Sequence, residues 1–156
     1  MRFEHLVQIN DPLVPLLDTL TRAQLWSGLA LFAHEPMRFN PVLEDARVIS
    51  QGADAIEREL NFGTHVVRDR VTLATLRELT IAIEPGTRWP ASRLTVRIEE
   101  PSNDALFLRF VHEWPEDAPR TELDEQTIGM REQAYKLHHL DIVARIRDLG
   151  RGGLLG

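Results

Sequence analysis

The feature that most limits how this chain can fold is the alternation of apolar and polar residues from Val42 to Trp114. Alternation with period two is typical of half-buried strands, and turn-forming residues divide this stretch into six segments. Their short connections exclude crossovers between parallel strands, so the sequence predicts an antiparallel meander. The predicted strands cover residues 43–51, 55–62, 65–74, 77–84, 92–100 and 105–114.

Two further segments complete the predicted fold. Residues 2–10 alternate in the same way and add a seventh strand, whereas residues 122–149 repeat apolar side chains at helical spacing. The order predicts an α+β protein in which one seven-stranded antiparallel sheet wraps around a long C-terminal helix. We expect residues 1–150 to form a single domain and the glycine-containing residues 151–156 to form a loose tail.

The hairpin in the middle of the meander places two charges on an apolar face. With a two-residue turn at residues 63–64, Arg58 lies opposite Asp69 and Leu60 lies opposite Val67. Because side chains alternate with period two, all four point to the same, concave face of the sheet. Such a pair either fixes the strand register or anchors the polar group of a ligand, and the sequence leaves both interpretations open.

A sheet that curls around a helix leaves a hollow in which a ligand can sit. We expect this hollow to lie between the concave face and the C-terminal helix, with Arg58 and Asp69 as its polar anchor. We expect it to be lined by some of Leu60, Val67, Leu79, Ile81, Val96, Phe110, Tyr135 and His138.

The composition excludes several classes of protein. The absence of cysteine excludes disulfides, thiolate metal sites and a cysteine nucleophile. A net charge of −6 with dispersed Lys and Arg argues against a nucleic-acid partner. The apolar runs are too short to span a membrane and no signal peptide is evident, so we expect a cytoplasmic protein. No common nucleotide, metal or hydrolase motif occurs, and we therefore expect no cofactor and no metal.

Six stretches, which extend over nearly the whole chain, resemble a known superfamily. They are similar to the START, Bet v 1 and polyketide-cyclase (SRPBCC) proteins, and within these to the AtaL-like group, a domain of unknown function. The resemblance implies the helix-grip fold, but the superfamily includes lipid carriers, metabolite binders, aromatic cyclases and chaperone activators, so it does not select a reaction. The stretches are LTRAQLWSGL (20–29), RELNFG (58–63), VVRDRV (66–71), LTVRIEEP (94–101), LFLRFVHE (106–113) and LDIVARIRDL (140–149).

Histidines supply further candidate chemistry. His5 and His112 lie on apolar faces of the first and last strands, which are neighbours in the implied fold. Such a pair can act as a general base or as half of a metal site, or each ring can be an ordinary hydrogen-bonded residue. Of the adjacent His138 and His139, one must face inward, and we select His138 as the residue that lines the cavity.

Three functions remain open. The first is the binding of a small hydrophobic or amphipathic molecule. The second is an enzyme that cyclises, dehydrates or isomerises a polyketide-like metabolite, in which Asp69, a histidine or Glu100 moves protons and Arg58 stabilises an enolate. The third is a protein-interaction module of the chaperone-activator kind. Its candidate surface is DPLVPLLDTL (11–20), a segment that we expect to pack on its own domain or on a second copy in a homodimer.

Overall fold

The structure is a computed structural model that describes residues 1–115 and 122–156, with the side chains of residues 122–125 left out of the description. Within these residues there are seven strands, two α-helices and one short turn of 3₁₀-helix at Pro36–Arg38. The helices are α1 (Arg22–His34) and α2 (Glu122–Arg151). The strands are β1 (Arg2–Asn10), β2 (Asp45–Gln51), β3 (Ala55–Asn61), β4 (Val66–Ala74), β5 (Glu78–Ile83), β6 (Ser92–Ser102) and β7 (Ala105–Glu113).

The described strands form one antiparallel sheet in the order β1-β7-β6-β5-β4-β3-β2. The meander from β2 to β7 and the return of β7 to β1 are as the sequence predicts. The long helix α2 continues without a break through Gly129, although glycine is a weak helix former. The predicted α+β fold, a seven-stranded antiparallel sheet with a long C-terminal helix, is confirmed.

The start of α1 is fixed by a capping box formed by Thr21 and Gln24. Thr21 Oγ1 accepts a hydrogen bond of 3.0 Å from the Gln24 amide, and Gln24 Oε1 accepts one of 2.9 Å from the Thr21 amide. These bonds satisfy two backbone groups that the first turn of a helix otherwise leaves free. The buried stripe of Leu25, Leu29 and Phe32 then directs α1 onto the core.

The central hairpin has the predicted register. Gly63 has a positive φ of 88°, which glycine adopts without strain, and the strands on either side pair Arg58 with Asp69 and Leu60 with Val67. On the outer face, Glu57 pairs with an arginine of β4 at 3.2 Å in an exposed ion pair. The charged side chains of β3 and β4 therefore lie on the outer, solvated face of the sheet, except for the one pair on the inner face.

The last residues of the chain pack on the domain, in contrast to the loose tail predicted for residues 151–156. Helix α2 extends to Arg151, and Leu155 is 7% exposed and belongs to the hydrophobic core. The glycines at 152 and 153 allow the chain to turn back, and Leu155 then covers apolar surface near Leu20. Within the described residues, none of the helices has the length and apolar character needed to cross a membrane.

Candidate functional site

A mainly apolar cavity of about 210 Å³ lies between the concave face of the sheet and α2. Strands β3 to β7 form its floor, Tyr135 and His138 of α2 cover it, and Phe32 and Leu43 close one side. Wider depressions of about 660, 700 and 620 Å³ lie on the outside of the domain and are more open to solvent. The smaller cavity is the candidate site because it contains both apolar walls and a buried charged pair.

Arg58 and Asp69 meet in the wall of this cavity. Arg58 Nε donates a hydrogen bond of 2.8 Å to Asp69 Oδ1, and Nη2 donates one of 2.6 Å to Oδ2. The two side chains are 4% and 2% exposed, so this is a buried, two-pronged ion pair of the kind that fixes both partners in orientation. The geometry predicted from the hairpin is confirmed.

Arg58 also joins the sheet to α1. Its Nη1 donates a hydrogen bond of 2.8 Å to the carbonyl of Ala33, in the last turn of that helix, where carbonyl groups lack helical partners and carry partial negative charge. A guanidinium has five N–H donors, and these three bonds use three of them. One N–H group of Nη1 and one of Nη2 are not used by these three bonds.

The cavity includes some, but not all, of the side chains that the sequence predicts. Leu60, Ile81, Tyr135 and His138 line it together with Arg58 and Asp69. Val67, Leu79, Val96 and Phe110, from the same predicted set, are absent from its walls.

The register of the sheet explains this difference. Leu79, Val96 and Phe110 are consecutive partners in one row across β5, β6 and β7, and all three are fully buried. His139 of α2 stacks on Phe110 at a ring-centroid distance of 4.0 Å, so the helix closes directly onto this row. Val67 is half-buried on β4 and is not part of the cavity wall, although its cross-strand partner Leu60 is.

The cavity occupies the next rows toward the open end of the sheet. Its lining there includes Ile81, Leu94 and His112, which have the same strand parity as the core row and lie two positions from it. Alternation in the sequence identifies the face but does not show where along a strand the helix stops covering it. The lining residues that sequence reasoning missed on β5 to β7 and just beyond are Ile83, Ser92, Arg93, Leu94, His112, Glu113 and Trp114.

A chain of three histidines runs beside the cavity. His139 is fully buried, and its Nδ1 lies 2.9 Å from His5 Nδ1 while its Nε2 lies 2.7 Å from His112 Nε2. The two contacts are on opposite sides of the His139 ring, so the three rings do not converge on one point as metal ligands do. Sequence reasoning selected His138 and missed His139. Which of two adjacent helical residues is buried depends on how the helix is rotated about its axis, and only its packing fixes that rotation.

The environment keeps these rings neutral. Burial lowers the pKa of His112 to about 4. Burial, together with the neighbouring histidines, lowers the pKa of His139 to about 2. Burial also lowers the pKa of His138, against the opposing effect of Asp141, and raises the pKa of Tyr135. Tyr135 stacks on His112 at a ring-centroid distance of 3.7 Å, so a neutral imidazole and a neutral phenol lie together in the cavity wall.

Two other sequence candidates lie away from the cavity. Glu100 forms an ion pair of 3.6 Å with Arg22 on the surface, so it is not a cavity carboxylate. In the segment 11–20, Leu13 and Leu16 are 88% and 95% exposed. These two side chains therefore do not pack on their own domain, and the alternative, packing on a second copy, stays a prediction.

The fold and the cavity together define the class of protein. A seven-stranded antiparallel sheet with a long C-terminal helix and a hollow between them is the helix-grip architecture of the START, Bet v 1 and polyketide-cyclase superfamily. Within it, the chain belongs to the AtaL family, described as "Acetylaranotin biosynthesis cluster protein L", whose family model matches residues 7–153. The resemblance found in the sequence is confirmed. A comparison with curated protein sequences finds no match.

Solved structures with the same fold are distant in sequence. The Zhui aromatase/cyclase from Streptomyces sp. R1128 superposes with a TM-score of 0.61 at 13% identity, over 94% of this chain and 90% of that one. Ara h 8.0201 superposes with a TM-score of 0.59 at 11% identity, over 95% of this chain and 98% of that one. The Aha1 dimer from Colwellia psychrerythraea superposes with a TM-score of 0.61 at 11% identity, over 94% of this chain and 96% of that one. At these identities the similarity establishes the fold alone.

Proposed function

We propose that this protein binds a small hydrophobic or amphipathic molecule in the cavity between the sheet and α2. The observation that carries this proposal is the buried ion pair of Arg58 and Asp69 in the wall of a mainly apolar cavity. Apolar side chains of similar volume often stabilise a core as well as a buried ion pair does, or better. The presence of the pair at the cavity therefore favours a role in recognition.

The size and chemistry of the cavity define the class of ligand. An apolar cavity of about 150 Å³ accepts benzene, so a cavity of about 210 Å³ suits a compact molecule with one or two fused rings. The remaining N–H groups of Arg58 favour a carboxylate, enol or carbonyl oxygen at one end of that molecule. We take 2-naphthoate as a probe with both properties.

Native mass spectrometry of the purified protein, followed by thermal unfolding with 2-naphthoate and uncharged naphthalene, tests the proposal. A ligand at about one hundred times its Kd stabilises the folded state by about 2.7 kcal/mol. We expect 2-naphthoate to raise the melting temperature more than naphthalene does, because only the former can accept hydrogen bonds from Arg58. If the purified protein carries no copurified molecule and neither probe shifts the melting temperature, the binding proposal is refuted.

A second candidate function is an enzyme that cyclises, dehydrates or isomerises the bound molecule. The observation that favours it is His112, a cavity residue that is neutral at physiological pH and therefore able to accept a proton. Arg58 can then stabilise the negative charge that develops on an enolate oxygen. The aromatase/cyclase among the similar structures is consistent with this candidate.

Turnover separates the two candidates. Small 1,3-diketones serve as substrates, and deuterium uptake at the carbon between the carbonyl groups reports proton abstraction. The enzyme candidate predicts faster uptake with the wild-type protein than with His112→Gln. If the diketones bind but exchange at the uncatalysed rate, and Asp69→Asn changes only their affinity, the protein is a binding module.

A further inference from the structure

Both ring nitrogens of His139 are committed to hydrogen bonds with histidines of the sheet. Its Nδ1 faces His5 Nδ1 on β1 at 2.9 Å, and its Nε2 faces His112 Nε2 on β7 at 2.7 Å. A neutral imidazole has one N–H donor and one acceptor nitrogen. His139 must therefore donate to one neighbour and accept from the other.

This constraint leaves two consistent proton arrangements for the chain. In the first, His112 carries its proton on Nε2, His139 on Nδ1 and His5 on Nε2. In the second, His112 carries it on Nδ1, His139 on Nε2 and His5 on Nδ1. The two arrangements differ by the movement of one proton across each hydrogen bond, together with the gain of a proton at His112 Nδ1 and the loss of one from His5 Nε2. All three rings are neutral in both.

The two ends of the chain lie in different places. His112 lines the cavity and uses Nε2 for the bond to His139, so its Nδ1 is the nitrogen left for a cavity ligand. His5 is half-buried on β1, an edge strand of the sheet, and its bond through Nδ1 leaves Nε2 for solvent. His139, between them, is fully buried.

We propose that His112, His139 and His5 form a proton relay between the cavity and the outer edge of the sheet. A ligand X–H gives its proton to His112 Nδ1 and keeps the bonding electron pair. The Nε2 proton of His112 passes to His139 Nε2, the Nδ1 proton of His139 passes to His5 Nδ1, and the Nε2 proton of His5 passes to water. The reverse sequence restores the first arrangement and returns a proton to the ligand.

The groups around the chain favour transfer through neutral rings. Lys136 of α2 lowers the pKa of His5, in addition to the effect of burial, and His138 acts in the same direction on His112 and His139. Tyr135 of α2 stacks on His112, and Phe110 of β7 stacks on His139. Among the described residues, Arg131 lies close to Tyr135 and Asp141 close to His138, and Arg93 and Glu113 of the sheet line the cavity with His112.

The relay deepens the proposed function, on which it rests, by defining the chemistry of the ligand. A relay that ends in the cavity is useful for a molecule with an exchangeable proton, such as an enol, a phenol or a carbon acid beside a carbonyl. The alternative is a structural role, in which the histidines only hold α2 against β1 and β7. That role needs the hydrogen bonds but does not need the protons to change places.

Nitrogen-15 NMR of histidine-labelled protein distinguishes these roles without any ligand. Once acid has charged His5, its Nδ1–H can only donate to His139 Nδ1, which imposes the second arrangement on the whole chain. At pH 8 we expect the first arrangement, in which His112 and His5 carry their protons on Nε2. As pH falls through the midpoint of His5, His112 should lose the proton on Nε2 and gain one on Nδ1 at that same midpoint.

His5→Asn is the matched variant, because an asparagine amide can take the position of Nδ1 and bond His139 without titrating. We expect it to abolish the change at His112, whereas His34→Gln, at an exposed histidine, should leave it intact. The relay is overturned if wild-type His112 keeps one arrangement while His5 titrates, or if the change survives in His5→Asn. The wild-type titration decides this even if His5→Asn does not fold, and its failure would leave the binding proposal untouched.

Discussion

The guanidinium of Arg58 and the carboxylate of Asp69 face each other across β3 and β4 in two hydrogen bonds of 2.8 and 2.6 Å, with both groups shielded from solvent. The third bond of Arg58, to the carbonyl of Ala33, connects this pair to the end of α1. A single interaction thus fixes the strand register, the position of a helix and one wall of the cavity. Because a buried charge without a partner costs free energy, removing one member of the pair should destabilise the protein more than replacing both.

Asp69→Asn should destabilise the protein by about 3–5 kcal/mol, because it leaves the Arg58 charge buried without a partner. The double variant Arg58→Leu with Asp69→Leu should recover part of that loss, since neither charge then has to be desolvated. Urea denaturation measures both free energies of unfolding. An equal or larger loss in the double variant would contradict this account.

The outer pair of Glu57 and Arg70 provides the matched control. It joins the same two strands at 3.2 Å, with side chains 49% and 59% exposed. Exposed pairs contribute about 0–1 kcal/mol. Replacing both residues by Leu should therefore change the free energy of unfolding little, which would assign the large effect of Asp69→Asn to burial.

Ile83→Trp should block the cavity, because Ile83 projects into it from β5. We expect the affinity for 2-naphthoate to fall at least about tenfold, which corresponds to about 1.4 kcal/mol. Ala82→Trp adds the same side chain one residue earlier, on the other face of the strand, and should bind the probe as the wild type does. Titration calorimetry gives both affinities. Equal affinities in the two variants would place the probe outside this cavity.

Acid should destabilise the protein through the buried histidines. The histidines of the unfolded chain take up protons near their ordinary pKa of 6.5. In the folded protein, the pKa of His112 is about 4 and that of His139 about 2, so both rings stay neutral to lower pH. The unfolded state therefore binds more protons below about pH 6.5. The free energy of unfolding should decrease from there toward pH 4, by up to about 1.4 kcal/mol per pH unit for each histidine.

His139→Leu tests the source of this pH dependence. Its free energy of unfolding should depend less steeply on pH between 4 and 6.5, because one buried titrating group is gone. The exposed-histidine variant His34→Gln should keep the wild-type slope. Parallel curves for the wild type and His139→Leu would show that other groups cause the acid sensitivity.

Two glycines should respond in opposite directions to alanine. A Cβ on Gly28 of α1 would lie 2.7 Å from Cγ2 of the fully buried Ile146 of α2, so Gly28→Ala should destabilise the contact between the helices by about 1–3 kcal/mol. A Cβ on Gly129 would meet nothing within 4 Å. Gly129→Ala should therefore stabilise α2 by up to about 1 kcal/mol. Thermal unfolding of the two variants measures the contrast, and a stabilised Gly28→Ala would contradict the close packing of α1 on α2.

The interactions that depend on local geometry can be predicted from the amino-acid sequence. Period-two alternation and short turns predict the strands, the capping box predicts the start of α1, and a two-residue turn at Gly63 places Arg58 opposite Asp69. These features are read correctly because they involve neighbours along one chain segment or across one hairpin. Strand parity alone then assigns both charges to the concave face.

The position at which α2 contacts that face cannot be predicted in this way, because it depends on tertiary packing. Parity gives Val96 and Leu94 the same direction, but the helix covers Val96 and leaves Leu94 in the cavity wall. The same docking turns His139 inward between two strands that are distant in sequence from α2. The cavity and the histidine chain depend on the depth and rotation of one packed helix, which many weak contacts fix together and no local pattern encodes.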